Sequence, residues 1–94
     1  MSAWLAVVRT PGYECDLQDV HAYIELDNPD AAMAMLLNLE DQVDSLADPN
    51  FPRRAGRVAG TLELVAHANY IVVMQQTNQT VTVLNILHVA KTYP

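Results

Sequence analysis

The sequence predicts a single α+β domain in which an N-terminal strand and a hairpin of two helices pack on a small antiparallel sheet. Three observations predict this fold. A short Val-rich run lies near the N-terminus, two apolar stripes at helical spacing follow it, and the pattern changes to strand-like runs after Arg57. The predicted element order is β-α-α-β-β-β over residues 1–94, a length that suits one domain.

The first strand and the first helix are predicted from the residues between Ala3 and Leu26. The run AWLAVVR (Ala3 to Arg9) is rich in strand-forming residues. Thr10 then precedes Pro11, which is the usual order of an N-cap and a first helical residue. One apolar face follows at spacings of four, three and four, and its members are Tyr13, Leu17, Val20 and Ile24.

The second helix has the same start signal and an equally clear apolar face. Asn28 and Pro29 repeat the pair of capping residue and proline, and Pro49 and Pro52 place the end of the helix near Ala47. Its apolar stripe is formed by Ala32, Met35, Leu36, Leu39, Val43 and Leu46. Because the loop between the helices is short, we expect an antiparallel hairpin.

Three strands are predicted in the second half of the chain. The runs VAGTLELV, YIVVMQQ and TVTVLNIL are separated by turn-like segments at residues 67–69 and 77–79. Short connections favour antiparallel neighbours. On the first of these strands, alternation places Leu62 on the core face with Leu64, and the ordinary interpretation of Glu63 is a residue that faces solvent. The tail from His88 has too little pattern to assign.

Composition limits the kinds of partner and compartment. Eleven acidic and five basic residues give a net charge of -6, which disfavours partners recognised mainly through phosphates and favours protein partners. The apolar run near the N-terminus is six residues long, so neither secretion nor membrane spanning is indicated. Cys15 is the single cysteine and permits no intrachain disulfide. We therefore expect a cytoplasmic protein.

Cofactor-dependent and thiol chemistry are not indicated. Glu14 and Asp16 flank Cys15 and oppose thiolate formation. The three histidines show no metal-ligand spacing, so we expect neither a metal nor a cofactor; they are His21, His67 and His88. The acidic residues Glu40, Asp41 and Asp44 are expected to form a solvated helix face.

An acid–base nuclease site is the strongest enzymatic hypothesis from the residues. Glu63, His88 and Arg57 are groups able to activate a ribose hydroxyl and to stabilise a phosphate, with Tyr93 near them in the tail. However, no aligned set of cationic side chains accompanies them, so this hypothesis ranks below a non-catalytic function.

The basic residues cluster before the first strand of the sheet. Arg53, Arg54 and Arg57 are three of the five basic residues, and they have two interpretations. They form either a solvated loop or a patch that contacts anions or carboxylates of a partner. Gly56 and Gly60 indicate a shaped entry into the strand.

Four blocks in register resemble the ParE branch of the RelE/ParE toxin superfamily. They are DLQDVHAYIELDNPDAA (Asp16 to Ala32), GRVAGTLEL (Gly56 to Leu64), YIVVMQ (Tyr70 to Gln75) and VTVLNILHVAKTYP (Val81 to Pro94). The resemblance covers nearly the whole chain. It implies the same fold and the function of the toxin in a type II toxin–antitoxin system.

The resemblance also implies partners and interacting surfaces. ParE toxins are described as protein inhibitors of DNA gyrase and not as nucleases, and a ParD-like antitoxin neutralises them in a hetero-oligomer. The expected target-facing residues are Arg53, Arg54, Arg57, His88, Lys91 and Tyr93. The expected antitoxin-binding residues are the apolar side chains off the main helix stripes, Tyr23, Met33 and Leu37.

Some positions depart from the family pattern. Leu62 and Asn85 stand where the family often has arginine, Thr92 replaces a basic residue, and Tyr93 stands where Trp is common. RelE-type nucleases carry an arginine in the strand that corresponds to YIVVMQ, whereas this chain has Ile71 and no charge there. The alternatives to gyrase inhibition are therefore a RelE-like endoribonuclease or a degenerate, non-toxic member that binds only antitoxin.

Overall fold

Two helices lie on one face of a five-stranded sheet in the computed structural model, which describes residues 4–89. In chain order the elements are β1 (Ala6–Arg9), α1 (Pro11–Glu25), α2 (Pro29–Ser45), β2 (Arg54–Ala55), β3 (Leu62–His67), β4 (Tyr70–Gln76) and β5 (Thr80–His88). The strands are arranged in the order β1-β5-β4-β3-β2. The predicted α+β class and its main elements are confirmed.

Both helices begin at the predicted caps. The Thr10 hydroxyl accepts a hydrogen bond from the backbone N–H of Tyr13, and the Asn28 side chain accepts one from Ala31. These contacts satisfy backbone donors that the first helical turn leaves unpaired. The Tyr13 hydroxyl, at the start of α1, donates to Glu40 in the second half of α2, so the helices run antiparallel as expected.

The sheet is mixed: the predicted antiparallel sheet is present, and one parallel strand is added to it. β3, β4 and β5 form the expected antiparallel ladder, and the short β2 extends it beside β3. β1 instead pairs parallel with β5, with Val7 opposite Val81. The helical hairpin makes this possible because it returns the chain to the start of β1, where the Leu5 N–H donates to Ala47 O at 2.7 Å.

A β-bulge in β5 changes which side chains face the helices. Met74 pairs with Val83 but Val73 pairs with Asn85, so Leu84 is an extra residue without a partner on β4. Val83 before the bulge and Ile86 after it both belong to the core, although they are three residues apart. Simple alternation therefore fails at this point.

The N-terminal part of α1 covers the edge of β5 beyond the end of β1. The last β1 pair is Arg9 with Val83. Next to it, the Thr10 hydroxyl donates to Val83 O at 2.8 Å, and Asp16 Oδ2 accepts the Ile86 N–H at 2.9 Å. Helix side chains thus satisfy strand groups that would otherwise form an open edge.

The core lies between the helices and the inner face of the sheet. Both predicted helix stripes point into it, and the fully buried side chains include Tyr13, Leu39, Val43, Leu46, Val72, Met74, Val81 and Val83. Leu62 packs against this cluster beside the buried Leu64, which confirms the core interpretation of Leu62.

The expectation of a solvated face is wrong for Glu40, whereas Asp41 and Asp44 are exposed as expected. Arg9 on β1 lies 3.2 Å from a Glu40 carboxylate oxygen and donates to Asp44 at 2.6 Å. The other Glu40 oxygen accepts the hydroxyl of the buried Tyr13 at 2.9 Å. Burial, together with the hydrogen bond to Glu40, raises the pKa of Tyr13 well above its usual range. These groups join β1, α1 and α2.

Replacing Glu40 by Ala should destabilise the fold, whereas replacing its neighbour Asp41 should not. Glu40→Ala leaves the buried Tyr13 hydroxyl without its acceptor, which costs about 1–3 kcal/mol of unfolding free energy. Asp41 is exposed, so Asp41→Ala should change stability by less than about 0.5 kcal/mol. Urea denaturation of both variants measures the difference, and equal stabilities would contradict this account.

Candidate functional site

The arginine–glutamate cluster (Arg54, Arg57 and Glu63) lies where β2 pairs with β3. Arg54 is the sheet partner of Glu63, and its side chain donates two hydrogen bonds to Glu63 Oε1, at 3.2 and 3.1 Å. Glu63 Oε2 accepts the backbone N–H of Arg57 at 3.2 Å and lies 3.6 Å from Arg57 Nε. Both carboxylate oxygens are therefore engaged within the chain.

The expectation that Glu63 faces solvent is wrong, because the cluster covers it. Glu63 is 3 % exposed, although it points to the sheet face opposite the helices. Burial alone would raise the pKa of its carboxyl. The Arg57 N–H and the Arg54 side chain outweigh that effect, so the pKa of Glu63 is lowered.

The glycines before β3 shape the loop that brings Arg57 to Glu63. The Gly56 N–H donates to Thr61 O at 2.8 Å, and a Cβ at Gly56 would collide with Thr61. Gly60 has a φ of 84°, a conformation that other residues rarely adopt. The shaped strand entry that the glycines indicated is therefore a closed loop held by a backbone hydrogen bond.

Arg53 points away from the arginine–glutamate cluster and organises the loop after α2. Its guanidinium donates to Asp48 O at 2.5 Å, to Phe51 O at 2.9 Å and to the Gln76 side chain at 2.8 Å. The three neighbouring arginines thus divide into one that holds this loop and two that surround Glu63.

The aromatic cleft is a second candidate site, at the far end of the inner face of the sheet. It is a cavity of about 220 Å³ lined by Asp16, Asp19, Val20, Tyr23, Tyr70, Ile86 and His88. The His88 ring stacks on Tyr70 with centroids 4.9 Å apart and meets the edge of Tyr23 at 5.4 Å. Burial, followed by the neighbouring Tyr23, raises the pKa of Tyr70.

The residues of the nuclease hypothesis are not assembled into one site. Glu63 and Arg57 are in contact, but His88 lies two strands away on the face that the helices cover. The cleft around His88 contains two aspartates and, among the described residues that line it, no Lys or Arg. A phosphate group would meet like charge there.

Other predicted residues are distributed over the surface. Tyr23, Met33 and Leu37 are 49 %, 50 % and 56 % exposed, and Met33 and Leu37 lie one turn apart on α2. Asn85, at a family arginine position, donates to Asp16 of α1 at 3.2 Å. Lys91 and Tyr93 lie outside the described residues.

The sequence does not predict the aromatic cleft as a unit. It predicts His88 as a target-facing residue and Tyr23 as an antitoxin-binding residue, and no pattern joins the two. The signal that connects them is the bulge at Leu84, which turns His88 towards α1 and which alternation does not reveal. Within residues 4–89, no three His, Cys, Asp or Glu side chains are placed to hold a metal ion.

The chain matches a known family over almost its whole length. Residues 7–93 match the profile described as ParE toxin of type II toxin-antitoxin system, parDE. The chain belongs to the ParE toxin family. The resemblance of its four sequence blocks is therefore confirmed, as is the assignment to type II toxin–antitoxin systems.

Similar proteins agree with this membership. The ParE family chain is 32 % identical over 78 residues to "Putative toxin Y4kP" of Sinorhizobium fredii, covering 83 % of this chain and 81 % of that protein. It superposes with a TM-score of 0.81 and 16 % identity on a structure of the "Chromosomal ParDE TA system from P. aeruginosa", covering 90 % and 96 % of the two chains. The superposition on the E. coli DinJ-YafQ toxin-antitoxin complex has a TM-score of 0.64 at 11 % identity and covers 97 % of this chain and 99 % of that chain. At these identities the two structures show the shared fold.

The stability of this ParE family toxin should depend on pH through Glu63. The folded-state pKa of Glu63 lies below the unfolded value of about 4.3. Its stabilising contribution is therefore present above that value and is lost as the pH falls through the lower folded pKa. Glu63→Gln should lower the unfolding free energy by about 1–3 kcal/mol at pH 7, and the difference from wild type should shrink in acid.

Urea denaturation between neutral and acidic pH measures this effect. Glu25→Gln is the matched control, because Glu25 is exposed at the end of α1. It should leave the pH profile parallel to that of the wild type. A Glu63→Gln profile that also stays parallel to wild type would contradict the role assigned to the buried carboxylate.

Proposed function

We propose that this ParE family toxin inhibits DNA gyrase by protein–protein binding and catalyses no reaction of its own. The observation that carries the proposal is the state of Glu63, the best candidate for a general base. Its two oxygens are held by Arg54 and by the Arg57 N–H, and its pKa is lowered. A carboxylate held in this way is a weak base for a ribose hydroxyl.

The surface proposed to face the target is the outer side of the arginine–glutamate cluster. The Arg54 and Arg57 side chains are about half exposed while they bind Glu63. Val58, next in the chain, is an exposed apolar residue. Guanidinium groups beside an apolar side chain suit a protein surface with carboxylates. Arg53, Lys91 and Tyr93 stay proposed as target-facing. His88 carries the same prediction, but it lies in the aromatic cleft on the other face of the sheet, so a target contact there would be separate from the arginines.

The gyrase proposal is tested by a supercoiling assay that also detects trapped, cleaved DNA. Wild-type protein should inhibit supercoiling, and Arg54→Gln combined with Arg57→Gln should require about tenfold more protein, since two charge-assisted contacts are lost. Glu63→Gln is the matched variant: it disturbs the same cluster but keeps both arginines, so it should inhibit like wild type once shown to be folded.

The alternatives are decided by a parallel assay of RNA cleavage with and without ribosomes. RNA cleaved at substoichiometric protein would overturn the proposal in favour of a RelE-like endoribonuclease. If neither gyrase nor RNA responds while an antitoxin still binds, the chain is a non-toxic member that retains only antitoxin binding. If the Arg54→Gln/Arg57→Gln variant inhibited supercoiling at the same concentration as wild type, these arginines would not belong to the target-facing surface.

We also propose that a ParD-like antitoxin neutralises the toxin in a hetero-oligomer in the cytoplasm. Two structures with the same fold come from toxin–antitoxin systems, which supports such a partner. Tyr23, Met33 and Leu37 offer half-exposed apolar surface on the helical hairpin, a surface that an antitoxin segment can cover as it folds. No helix among the described residues is long and apolar enough to cross a membrane. The net charge of -6 opposes direct nucleic-acid binding.

Polar substitutions on α2 should weaken the antitoxin complex. Met33→Ser combined with Leu37→Ser removes apolar area on one helix face and should raise the dissociation constant at least about tenfold. Val58→Ser is the control, because Val58 is equally apolar and exposed but lies on the loop before β3. Calorimetric titration with the protein encoded by an adjacent short reading frame measures both. If the Met33→Ser/Leu37→Ser variant bound the antitoxin as tightly as wild type, the antitoxin site would have to lie elsewhere.

A further inference from the structure

We propose that the aromatic cleft is a receptor for the guanidinium group of an arginine side chain presented by the antitoxin. This inference rests on the proposed toxin–antitoxin function and names the chemistry that the cleft recognises. The cleft combines aromatic rings, carboxylates and a phenol oxygen in a space for one side chain.

The aromatic walls favour a cation. Tyr23 is half exposed, and it lines the cleft together with Tyr70 and His88, whose rings stack on each other. The faces of tyrosine rings carry negative potential and attract cationic groups within about 6 Å. A planar guanidinium can also stack on such a ring, which a compact ammonium group does less well.

The charge of the cleft also favours a cationic ligand. Asp16 Oδ2 is occupied by the Ile86 N–H and the Asn85 side chain, so Asp16 is also a structural residue. Asp19, one turn along α1, is exposed at the cleft and available to a ligand. No Lys or Arg is among the described lining residues, so the two carboxylates there face no ammonium or guanidinium group of the cleft itself.

A phenol oxygen lies among these groups. Tyr70 lines the cleft, and its hydroxyl oxygen can accept a hydrogen bond. A guanidinium has five N–H donors and no acceptor, so it can donate to the Tyr70 oxygen and to Asp19 at once. An anion would instead meet the Asp16 and Asp19 carboxylates.

The size and position of the cleft select the occupant. A cavity of about 220 Å³ is smaller than the ~300–1,000 Å³ of sites for drug-sized ligands, so it suits a single side chain. Tyr23 belongs both to this cleft and to the hairpin surface proposed for the antitoxin. An antitoxin segment that covers the hairpin therefore passes the mouth of the cleft.

The probe for the test is N-acetyl-arginine amide, titrated into ¹⁵N-labelled protein and followed by NMR. The neutral isostere N-acetyl-citrulline amide is the matched control ligand, and inorganic phosphate is the anionic one. The arginine probe should give saturable shifts of the Ile86 and Asp19 amides, since Ile86 N–H binds Asp16 in the cleft wall. Citrulline and phosphate should give none. Equal shifts with citrulline, or shifts with phosphate alone, would overturn the proposal.

Two variants test the cleft without disturbing Asp16. Asp19→Asn and Tyr23→Leu should each weaken binding of the arginine probe by about two- to fivefold, as expected for one carboxylate contact or one aromatic face at a partly exposed site. Asp41→Asn removes the same charge from a distant exposed position and should leave the affinity unchanged. Unchanged binding in both cleft variants would refute the assignment.

A titration with the antitoxin separates this inference from the function on which it rests. If the antitoxin binds and Asp19→Asn weakens it by the same factor, the cleft holds an antitoxin side chain. If the antitoxin binds wild type and Asp19→Asn equally well, the inference is wrong and the toxin–antitoxin function stands. If no antitoxin binds wild type, the proposed function fails, and the arginine probe then identifies a cation site with another partner.

Discussion

The contact between α1 and the open edge of β5 is the constraint on which the rest of the structure depends. β1 covers this edge only as far as Val83, and Thr10 and Asp16 then bind the next strand groups in place of a neighbouring strand. Thr10 also caps the start of the helix, and Asp16 also lines the aromatic cleft. Helix position, sheet edge and cleft are therefore set by one short stretch of the chain.

The parts of the fold that were predictable depend on local signals. Capping residues with prolines fixed the helix starts, and spacing identified the buried faces of both helices. What was missed depends on partners distant in sequence. Arg9 binds Glu40 and Asp44 of α2, and Glu63 is buried by arginines of the preceding loop. A charge pattern read along one element cannot show that another element neutralises it.

The candidate surfaces are chemically opposite and physically separate. The arginine–glutamate cluster presents guanidinium groups on the outer face of the sheet near β2, whereas the aromatic cleft presents carboxylates and rings on the inner face near the end of β5. A protein with both can bind a target at one and an antitoxin at the other. An antitoxin that occupied only the cleft would leave the arginines exposed to the target. To neutralise the toxin by blocking them as well, the antitoxin segment would have to be long enough to cover both faces of the sheet.

The bulge at Leu84 makes the identity of the cleft a matter of strand pairing as well as of composition. One extra residue in β5 turns Ile86 and His88 towards the helices and Leu87 away from them. If the same residues formed a regular strand without the bulge, alternation from Val83 would turn His88 away from the helices and Leu87 towards them, which exchanges an imidazole for an aliphatic side chain at the bottom of the cleft. Relatives that keep the same residue types in this strand but pair it without the bulge would thus present different chemistry to a partner, with no change of composition.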